Sequence, residues 1–462
     1  AGETIAFNGV WFIAPLDVGL SVYATCARGS RFHGCTALRA WGRATRGVCG
    51  SGEQGALLEP SHRTPDPTRT VHRVRQADVM PTDSSRLMSM RGQSRLRIAC
   101  VHLYDDHSGS ANVFAQALHV LKKAGHQLDV VVGSEGEGGF IRSQHPVSSV
   151  HYRLSANRWL LLLNFMLTQS LIFWKVLHLC LRHRADMVYV NTVLPVGAVL
   201  AGALCRRRVV VHAHEVGLGS RGLFRLLRAV VSKHANTIVC VSEYVARELA
   251  WPANKAVVVY NALSPKDWEA AVGIARQQLA PLRHARPFTV VMACSLRWYK
   301  GLDSFVELAR RLENESGNPD FRFELLLNCA PAEFEEFCTG QDLPSNLIAV
   351  RNPPSVYRHY RHADLVLNLS HPEGWIETFG LTLLEAMACA VPVISPTVGG
   401  CTELFEPGNG GWRIASRDMD SLVRLIEHLA TNPQAHVVAR QQALIAAQRF
   451  SPDHFRQKLE AV

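Results

Sequence analysis

Two glutamates, Glu377 and Glu385, are separated by seven residues, and Phe379 and Gly380 lie in that interval. The apolar run before them predicts a strand, the glycine predicts a turn, and the residues from Leu381 onward predict a helix. Backbone N–H groups at the start of such a helix suit a diphosphate, and glycine lets a ligand approach the main chain. The two carboxylates then lie on opposite sides of that phosphate, where they can bind hydroxyl groups. The alternative is that Glu377 is an ordinary charged residue of a loop and Glu385 an ordinary charged residue on a helix surface.

A second polar group follows a predicted strand in the first half of the chain. His214 and Glu215 come directly after the apolar run 208–212. Because ligands bind at the carboxyl ends of parallel strands, this position predicts a histidine that faces a ligand. A single histidine is more often structural, so the position in the fold carries the argument rather than the residue type.

Short apolar runs that alternate with helical stretches surround both groups. The predicted strands of a first series cover 96–102, 128–132, 187–190, 208–212, 237–241 and 256–260, and those of a second series cover 288–293, 322–328, 347–350, 364–369 and 391–395. Alternation of this kind predicts doubly wound parallel sheets. The expected fold class is therefore α/β, with two Rossmann-like domains that face a cleft.

The composition narrows the classes of partner. A formal charge of +10 is compatible with nucleic acid, an anionic membrane surface or an anionic substrate. The charge is not concentrated in a basic stripe with interleaved aromatic residues, so nucleic acid is not an expected partner. The 12 cysteines show neither a C-x-x-C pair nor metal-ligand spacing, and we interpret them as thiols of a reducing cytosol.

Residues 157–184 form an unusually apolar stretch with a narrow polar stripe at helical spacing. Trp159 and Trp174, together with arginines at both ends, suit a membrane interface. A buried helix that covers the first sheet explains the pattern equally well, so both interpretations stay open. No uninterrupted apolar run reaches transmembrane length, and a spanning segment is not expected.

The stretch around the two glutamates resembles the E-x7-E motif of retaining family-4 glycosyltransferases of the GT-B fold, in the form E-T-F-G-x-x-x-x-E-A-M. This resemblance implies that Glu377 binds hydroxyl groups of a donor sugar and that Glu385 binds the ribose of its nucleotide. It also implies that the backbone amides of Phe379, Gly380 and Leu381 face the phosphates and the sugar.

A further match is the diphosphate site of the same family. Lys300 aligns with the family's lysine, Ser295 stands where an arginine is usual, and the role of that arginine passes to Arg297. These cations would replace a metal ion as the neutralising charge, so neither a metal nor another cofactor is expected. The D-x-D sequence that begins at Asp418 resembles a metal motif only superficially, because it precedes a predicted helix that it can cap.

The amino-terminal half resembles bacterial surface-polysaccharide transferases of this family more loosely. By that resemblance His214 lies in the cleft near the reacting centre, and it joins Glu377 and Lys300 as a candidate catalytic residue. The acceptor-side positions implied by the match are Gly109, Ser110, Asn191 and Glu215.

The sequence pattern and the family resemblance together divide the chain into three parts. Residues 1–93 lack a sustained period, and we interpret them as a disordered or non-native leader. Residues 94–275 form the predicted amino-terminal, acceptor-side domain. Residues 276–462 form the predicted carboxyl-terminal, nucleotide-sugar-binding domain, whose last helix is expected to pack back on the amino-terminal domain.

The resemblance implies an enzyme that moves a sugar from a nucleotide-diphosphate sugar to a glycan acceptor with retention of configuration. The polysaccharide-type match and the apolar segment 157–184 favour a lipid-linked acceptor. They also favour a cytoplasmic protein bound peripherally to the anionic inner face of the cell membrane. A nucleotide-sugar epimerase or a phosphorylase of the same fold, and a non-catalytic nucleotide-sugar-binding subunit, are the alternatives.

Overall fold

The computed structural model describes residues 95–462, apart from residues 107, 134–138, 156, 218–219, 280–285 and 314–319. The predicted leader lies outside this part of the chain. Within it, the strands form one sheet of seven and one of six, and the pairings are parallel. This arrangement confirms the α/β class with two parallel sheets that the alternation of apolar and helical segments predicted.

The first sheet has the strand order β3-β2-β1-β4-β5-β6-β7. Its strands are β1 Arg97–His102, β2 Gln127–Gly133, β3 Ser148–Val150, β4 Met187–Asn191, β5 Arg208–Ala213, β6 Thr237–Cys240 and β7 Ala256–Val258. Its helices are α1 Gly109–Lys123, α2 Arg158–Arg182, α3 Val196–Leu204, α4 Arg221–His234 and α5 Glu243–Glu248. The winding direction reverses between β1 and β4, and ligands bind at such a switch point in open α/β sheets.

The second sheet has the strand order β10-β9-β8-β11-β12-β13, with its switch point between β8 and β11. Its strands are β8 Phe288–Ser295, β9 Phe321–Asn328, β10 Leu347–Arg351, β11 Leu365–Leu367, β12 Val393–Ser395 and β13 Gly411–Arg413. The helices of this half are α6 Pro265–Gln278, α7 Leu302–Arg311, α8 Pro331–Thr339, α9 Tyr357–Tyr360, α10 Leu381–Ala388, α11 Met419–Thr431, α12 Pro433–Ala447 and α13 Pro452–Glu460. We call the first sheet with its helices the amino-terminal lobe and the second the carboxyl-terminal lobe.

Two strands at sheet edges were not predicted from the sequence. β3 and β13 are three residues long and pair on one side only, so neither carries the apolar run that marks a buried strand. The predicted strands 364–369 and 391–395 are shortened to β11 and β12. In the second case Pro392 has no N–H for the ladder, and the strand begins after it at Val393.

The last helix, α13, follows the second sheet in sequence but packs against α1 of the first. Phe455 and Leu459 of α13 are buried in the same apolar cluster as Phe114 and Leu118 of α1. The carboxyl end of the chain therefore contributes to the core of the amino-terminal lobe. The boundary predicted between residues 275 and 276 stays a prediction, and it falls inside α6.

The apolar helix α2 has one buried face and one exposed face. Residues of the buried face, such as Ile172, Val176 and Cys180, pack with the core of the first sheet. We define the exposed face of α2 by the side chains of Trp159, Leu163, Met166, Leu167, Trp174 and Leu181. By length and composition the helix could cross a membrane, since an 18-residue window of it has a mean hydropathy of 1.6. Polar residues interrupt its apolar run, so the expectation that no segment spans the membrane stays a prediction. The buried-helix interpretation holds for one face, and the membrane interpretation of the other stays a prediction.

A buried network of charged groups connects the helices of the carboxyl-terminal lobe to its sheet. Asp364, just before β11, accepts hydrogen bonds from Arg440 over 2.7 Å and from Arg286 over 2.9 Å. Its other oxygen accepts from the N–H of Thr289 over 2.9 Å. Arg440 on α12 is buried and also donates to the side chain of Gln278 on α6. The carboxylate therefore joins α6 and α12 to the centre of the sheet.

Replacing Asp364 by Ala should lower the free energy of unfolding by about 3–5 kcal/mol, because it leaves the buried Arg440 without its counter-charge. Urea denaturation followed by circular dichroism measures this change. The matched control is Asp453→Ala, which removes a largely exposed partner of Arg456 and should change stability by less than about 1 kcal/mol. A similar small change in both variants would contradict the role given to the network.

Candidate active site

Gly380 sets the start of helix α10. Its backbone has a φ of 88°, in the left-handed region that glycine adopts without strain. A Cβ at this position would lie 2.9 Å from the Cβ of Cys401, so a larger residue has no room. The helix begins at Leu381, and a helix leaves the N–H groups of its first turn without partners inside it. The amino end of α10 is therefore suited to an anionic phosphate.

Lys300 and Glu377 form an ion pair at the switch point of the carboxyl-terminal lobe. Lys300 follows β8 and Glu377 follows β11, and the Lys300 Nζ lies 2.9 Å from Oε2 of Glu377. Both side chains are largely buried, at 16% and 19% exposure. Asn368 donates a hydrogen bond to the same carboxylate oxygen over 3.3 Å. The Lys300 Nζ also lies 5.1 Å from the centre of the Trp375 ring.

This environment keeps Glu377 ionised. Burial acts to raise the pKa of Glu377, but the charge of Lys300 and hydrogen bonds from Lys300, Asn368 and Trp375 outweigh it and lower the pKa. The carboxylate keeps acceptor capacity for hydroxyl groups beside the ammonium group of Lys300. An anion and the hydroxyl groups next to it could therefore be bound at one place.

Glu385, one turn inside α10, has a different electrostatic environment. Burial, and after it the negative charge of Asp267, raises the pKa of Glu385 from 4.5 to about 8. At pH 7 its carboxyl group is mostly protonated, so it can both donate and accept hydrogen bonds. The two glutamates of the motif thus differ in charge, with Glu377 anionic and Glu385 neutral.

Arg297 does not join the ion pair. Its guanidinium donates to the carbonyl oxygen of Leu296 over 2.8 Å and to Oε1 of Glu333, at the start of α8, over 3.2 Å. The structure therefore brings Lys300 to Glu377 but directs Arg297 to a neighbouring helix. The role of Arg297 at a diphosphate stays a prediction.

The start of α1 faces the start of α10 across the cleft. A Cβ on Gly109 would stand 3.3 Å from Cδ1 of Leu381, so the two lobes meet at these residues. Phe379 is buried, and its ring packs near Tyr260 and Phe450. Its side chain therefore supports the core, and its backbone is the part that could face a ligand.

In the amino-terminal lobe, Asn191 at the end of β4 contacts three groups. Its amide nitrogen lies 3.0 Å from Nδ1 of His102 and 3.0 Å from the carbonyl oxygen of Ser110. Its amide oxygen lies 2.9 Å from Nε2 of His214. Asn191 is fully buried, and His214 is 8% exposed. The structure therefore brings together three residues that the sequence singled out, Ser110, Asn191 and His214, at the switch point of this lobe.

Burial lowers the pKa of each histidine in this cluster. The pKa of His102 falls to about 4 and that of His212 to about 3. The pKa of His214 falls well below 6.5, because burial and then the neighbouring His212 and His102 disfavour a positive charge. The rings of His212 and His214 are 4.5 Å apart between centres. All three imidazoles are therefore neutral at pH 7.

Glu215 holds the backbone of the loop after β4. Its Oε2 accepts hydrogen bonds from the N–H groups of Val193 and His214, each over 3.3 Å. Burial raises the pKa of Glu215 to about 7, although these hydrogen bonds oppose the shift. Thr192 in the same loop has a φ of 69°, which strains a β-branched residue. The sequence did not indicate Thr192, since nothing local marks a positive φ at threonine, and the acceptor-side role of Glu215 stays a prediction.

Glu403 connects the lobes and was not among the predicted site residues. Its carboxylate accepts hydrogen bonds from the N–H of Glu243 over 2.9 Å and of Tyr244 over 2.6 Å, at the start of α5. A negative charge is favourable at the amino end of a helix. The resemblance around the E-x7-E motif continues through Pro392 and Gly399 to Glu403, and that position is the signal that could have found it.

One group among the described residues has the atom types of a metal site. Glu324, His359 and His362 each place one ligand atom within 4.8 Å of the others. These atoms already contact one another, since Nδ1 of His359 lies 2.7 Å from Oε2 of Glu324. Arg322 donates to the other carboxylate oxygen over 2.9 Å. The guanidinium thus supplies the positive charge that the buried carboxylate needs.

The D-x-D sequence that begins at Asp418 has structural roles. Asp418 accepts a hydrogen bond from the N–H of Ser421 over 3.1 Å and so caps α11, as its position before a predicted helix indicated. Asp420 forms an ion pair with Arg311 at 2.9 Å. The two carboxylates therefore bind different partners rather than a shared one.

Both lobes match known protein families. Residues 107–267 match the family model described as Glycosyltransferase Family 4, and residues 287–432 match the one described as Glycosyl transferases group 1. The first match contains Ser110, Asn191 and His214, and the second contains the ion pair of Lys300 with Glu377.

Curated relatives share shorter segments. The chain is 35% identical over 92 residues to the D-inositol 3-phosphate glycosyltransferase of Saccharomonospora viridis, a match that covers 20% of each protein. It is 24% identical over 184 residues to the amylovoran biosynthesis glycosyltransferase AmsK of Erwinia amylovora, a match that covers 39% of this chain and 43% of the relative. The chain therefore spans less than half the length of these relatives.

Solved structures share the whole fold. The Anabaena protein Alr3699/HepE in complex with UDP-glucose is similar with a TM-score of 0.61 and 20% identity, over 79% of this chain and 99% of that one. WaaG, a glycosyltransferase involved in lipopolysaccharide biosynthesis, is similar with a TM-score of 0.55 and 17% identity, over 78% of this chain and 98% of that one. At these identities the likeness shows the two-lobed fold.

Replacing Glu385 by Gln should stabilise the protein in a pH-dependent way. Between pH 4.5 and about 8 the unfolded chain has lost the Glu385 proton and the folded chain keeps it, so wild-type stability falls as the pH rises. Glutamine removes this penalty. The melting temperature of Glu385→Gln minus that of the wild type should therefore grow from pH 5 to 8 and level off above, reaching a few degrees.

Differential scanning calorimetry across this pH range measures the difference. The matched control is Glu406→Gln, which changes an exposed carboxylate and should show no such trend. A difference for Glu385→Gln that is constant with pH, or that shrinks as the pH rises, would contradict the raised pKa.

Proposed function

Because this chain belongs to the family-4 glycosyltransferases of the GT-B fold, we propose that it moves a sugar from a nucleotide-diphosphate sugar to a glycan acceptor with retention of configuration. Both lobes match models of such enzymes, and a protein of the same fold binds UDP-glucose. The names of the relatives range from a D-inositol 3-phosphate glycosyltransferase to a glycosyltransferase of amylovoran biosynthesis, and a protein of the same fold is involved in lipopolysaccharide biosynthesis. The polysaccharide class agrees better with the exposed, apolar face of α2.

The observation that carries this proposal is the ion pair of Lys300 with Glu377 beside the amino end of α10. A diphosphate bound there would contact the ammonium group of Lys300 and accept hydrogen bonds from helix N–H groups. Both stabilise the negative charge that develops on a leaving group. Glu377, held ionised, would accept hydrogen bonds from hydroxyl groups of the donor sugar. Glu385, one turn further on, would bind the ribose of the nucleotide.

In the proposed reaction, the bond between the anomeric carbon and the diphosphate oxygen breaks. The hydroxyl oxygen of the acceptor forms its bond to the same carbon on the same face, and its proton passes to the departing diphosphate. Lys300 and the helix amides stabilise the negative charge on that group, while Glu377 orients the sugar. Because Lys300 would supply positive charge to the leaving group, the proposed reaction uses no metal ion.

Replacing Lys300 by Met, or Glu377 by Gln, should lower kcat about 10²–10³-fold with the donor saturating, because each change removes a contact to the reacting group. A thermal-shift screen of nucleotide-sugars first identifies the donor, and transfer of its labelled sugar to glycan acceptors then gives kcat. The matched control is Glu373→Gln, which alters an exposed residue of the same loop and should keep wild-type turnover. Near wild-type kcat in either site variant would overturn these roles.

The same assay separates the alternatives. Transfer that persists in EDTA supports catalysis without a metal, whereas activity that is lost in EDTA and restored by Mn²⁺ would overturn that part of the proposal. Conversion of the nucleotide-sugar to its epimer without a glycan product would identify an epimerase. Donor binding without any turnover would identify a non-catalytic binding subunit.

We also propose that the acceptor is lipid-linked and that the protein binds the anionic cytoplasmic face of the cell membrane through the exposed face of α2. Trp159 and Trp174 on this face are 67% and 66% exposed. The helix contains no acidic residue, and Arg158 and Arg182 stand at its two ends. Since its opposite face packs on the first sheet, the helix fits a position in the plane of the interface rather than across the bilayer.

Replacing Arg153, Arg158 and Arg182 together by Glu should weaken binding to vesicles that contain phosphatidylglycerol, because it reverses the charge next to the exposed face. Vesicle co-sedimentation measures the bound fraction. Binding of the wild type should weaken with added salt, since attraction between surface charges is screened within about 10 Å at 0.1 M.

The matched control is a variant in which three exposed arginines of the other lobe, Arg351, Arg358 and Arg361, are replaced by Glu. This variant should bind vesicles as the wild type does. Nucleotide binding should be unchanged in the variant of the amino-terminal lobe. A wild-type protein that ignores anionic vesicles at low salt would overturn the membrane proposal while leaving the transfer reaction untouched.

A further inference from the structure

We propose that Asn191 is a positioning residue that holds the neutral imidazole of His214 in the tautomer with its proton on Nε2. The catalytic consequence rests on the proposed transfer reaction, whereas the proton position follows from the hydrogen bonds alone. Asn191 is fully buried at the end of β4, where it contacts His102 at the end of β1 and Ser110 at the start of α1. It therefore joins the elements that form the amino-terminal side of the cleft.

The carbonyl oxygen of Ser110 decides which way the Asn191 amide points. A carbonyl oxygen only accepts hydrogen bonds, so the group 3.0 Å from it has to be the amide NH2. Turning the amide by half a rotation would place two oxygen atoms against each other. With the NH2 facing Ser110, its second hydrogen is available to Nδ1 of His102 at 3.0 Å. The amide oxygen then faces Nε2 of His214 at 2.9 Å.

This orientation decides the proton positions on both histidines. The amide oxygen of Asn191 only accepts, so Nε2 of His214 has to carry the hydrogen. The amide NH2 only donates, so Nδ1 of His102 has to be without one. A single asparagine, whose orientation is set by the backbone, thus selects opposite tautomers for the two imidazoles.

The groups packed around His214 also keep it uncharged. His102 approaches from β1, and His212 on β5 places its ring 4.5 Å from that of His214. Nδ1 of His212 lies 2.8 Å from the hydroxyl of Tyr189 on β4. Glu215 bonds the backbone N–H of His214, and its carboxyl group has a pKa raised to about 7. Because burial and the neighbouring histidines lower the pKa of His214, a second proton is disfavoured.

The selected tautomer has a chemical consequence in the cleft. With the proton on Nε2, Nδ1 of His214 keeps a lone pair, and a sugar hydroxyl that reaches this strand end can donate to it. An imidazolium would offer no acceptor. It would also bring positive charge towards a sugar ring that itself becomes positive in the transition state. Asn191 therefore acts on the reaction through His214.

Nuclear magnetic resonance of protein labelled with ¹⁵N-histidine tests the proposal directly, because imidazole ¹⁵N shifts distinguish the two tautomers and the imidazolium. The His214 signals are identified as those missing from His214→Gln. In the wild type His214 should be the Nε2–H tautomer throughout pH 5.5–8. A wild-type His214 that is the Nδ1–H tautomer, a mixture or an imidazolium at pH 7 would overturn the proposal, whatever the variants do.

Two substitutions of Asn191 should change this signature in different ways. Asn191→Leu removes the acceptor, so His214 should become a mixture of tautomers and kcat should fall about tenfold or more with little change in donor KM. Asn191→Asp adds a negative charge that raises the pKa of His214, so its kcat should fall as the pH is lowered through that pKa. An unchanged tautomer in Asn191→Leu would contradict the positioning role.

His102→Leu is the matched control, because it removes another buried partner of Asn191 but leaves the Ser110 carbonyl that orients the amide. The Nε2–H tautomer of His214 should persist in this variant even if its melting temperature falls. Tautomer mixing in His102→Leu equal to that in Asn191→Leu would assign the effect to packing. If no transfer is detected with any donor, the proposed function fails while the spectra still decide the proton position.

Discussion

A carboxylate and an ammonium group can be largely buried where each neutralises the charge of the other. The active site of the carboxyl-terminal lobe depends on such a pair. Removing either group leaves a buried charge without compensation, which is far more costly than losing an exposed ion pair. Lys300 and Glu377 are 77 residues apart in sequence. They meet because β8 and β11 pair in parallel and end at the same edge of the sheet. The loop that carries Glu377 then leads directly into Gly380 and α10.

The two sides of the cleft bury ionisable side chains in opposite ways. The carboxyl-terminal side keeps opposite charges in contact, so it can act on an anionic group. The amino-terminal side removes charge, because burial lowers the pKa values of His102, His212 and His214 and leaves them neutral. The amino end of α10 beside this ion pair favours an anion at one wall, while the other wall offers neutral hydrogen-bonding groups.

The sequence was sufficient to predict the long buried strands, the turn at Gly380 and the start of α10, because apolar runs and a glycine between them are local signals. It could not predict that Arg297 turns to Glu333, since the partner of a loop cation depends on how α8 packs. Nor could the spacing of the motif predict that one glutamate is anionic and the other neutral, since their charges depend on neighbours such as Lys300 and Asp267. The hydrogen bonds of Asn191 likewise depend on residues distant in sequence.

Glu403 joins the lobes through hydrogen bonds to the N–H groups of Glu243 and Tyr244, both at one end of α5. Hydrogen bonds donated to a charged oxygen are short and directional, so they are lost as soon as the lobes move apart at this point. Every widening of the cleft there exchanges these two bonds for contacts with water. Where product release requires the cleft to widen, the frequency of that exchange would limit how quickly the product leaves, although Glu403 takes no part in the reaction itself.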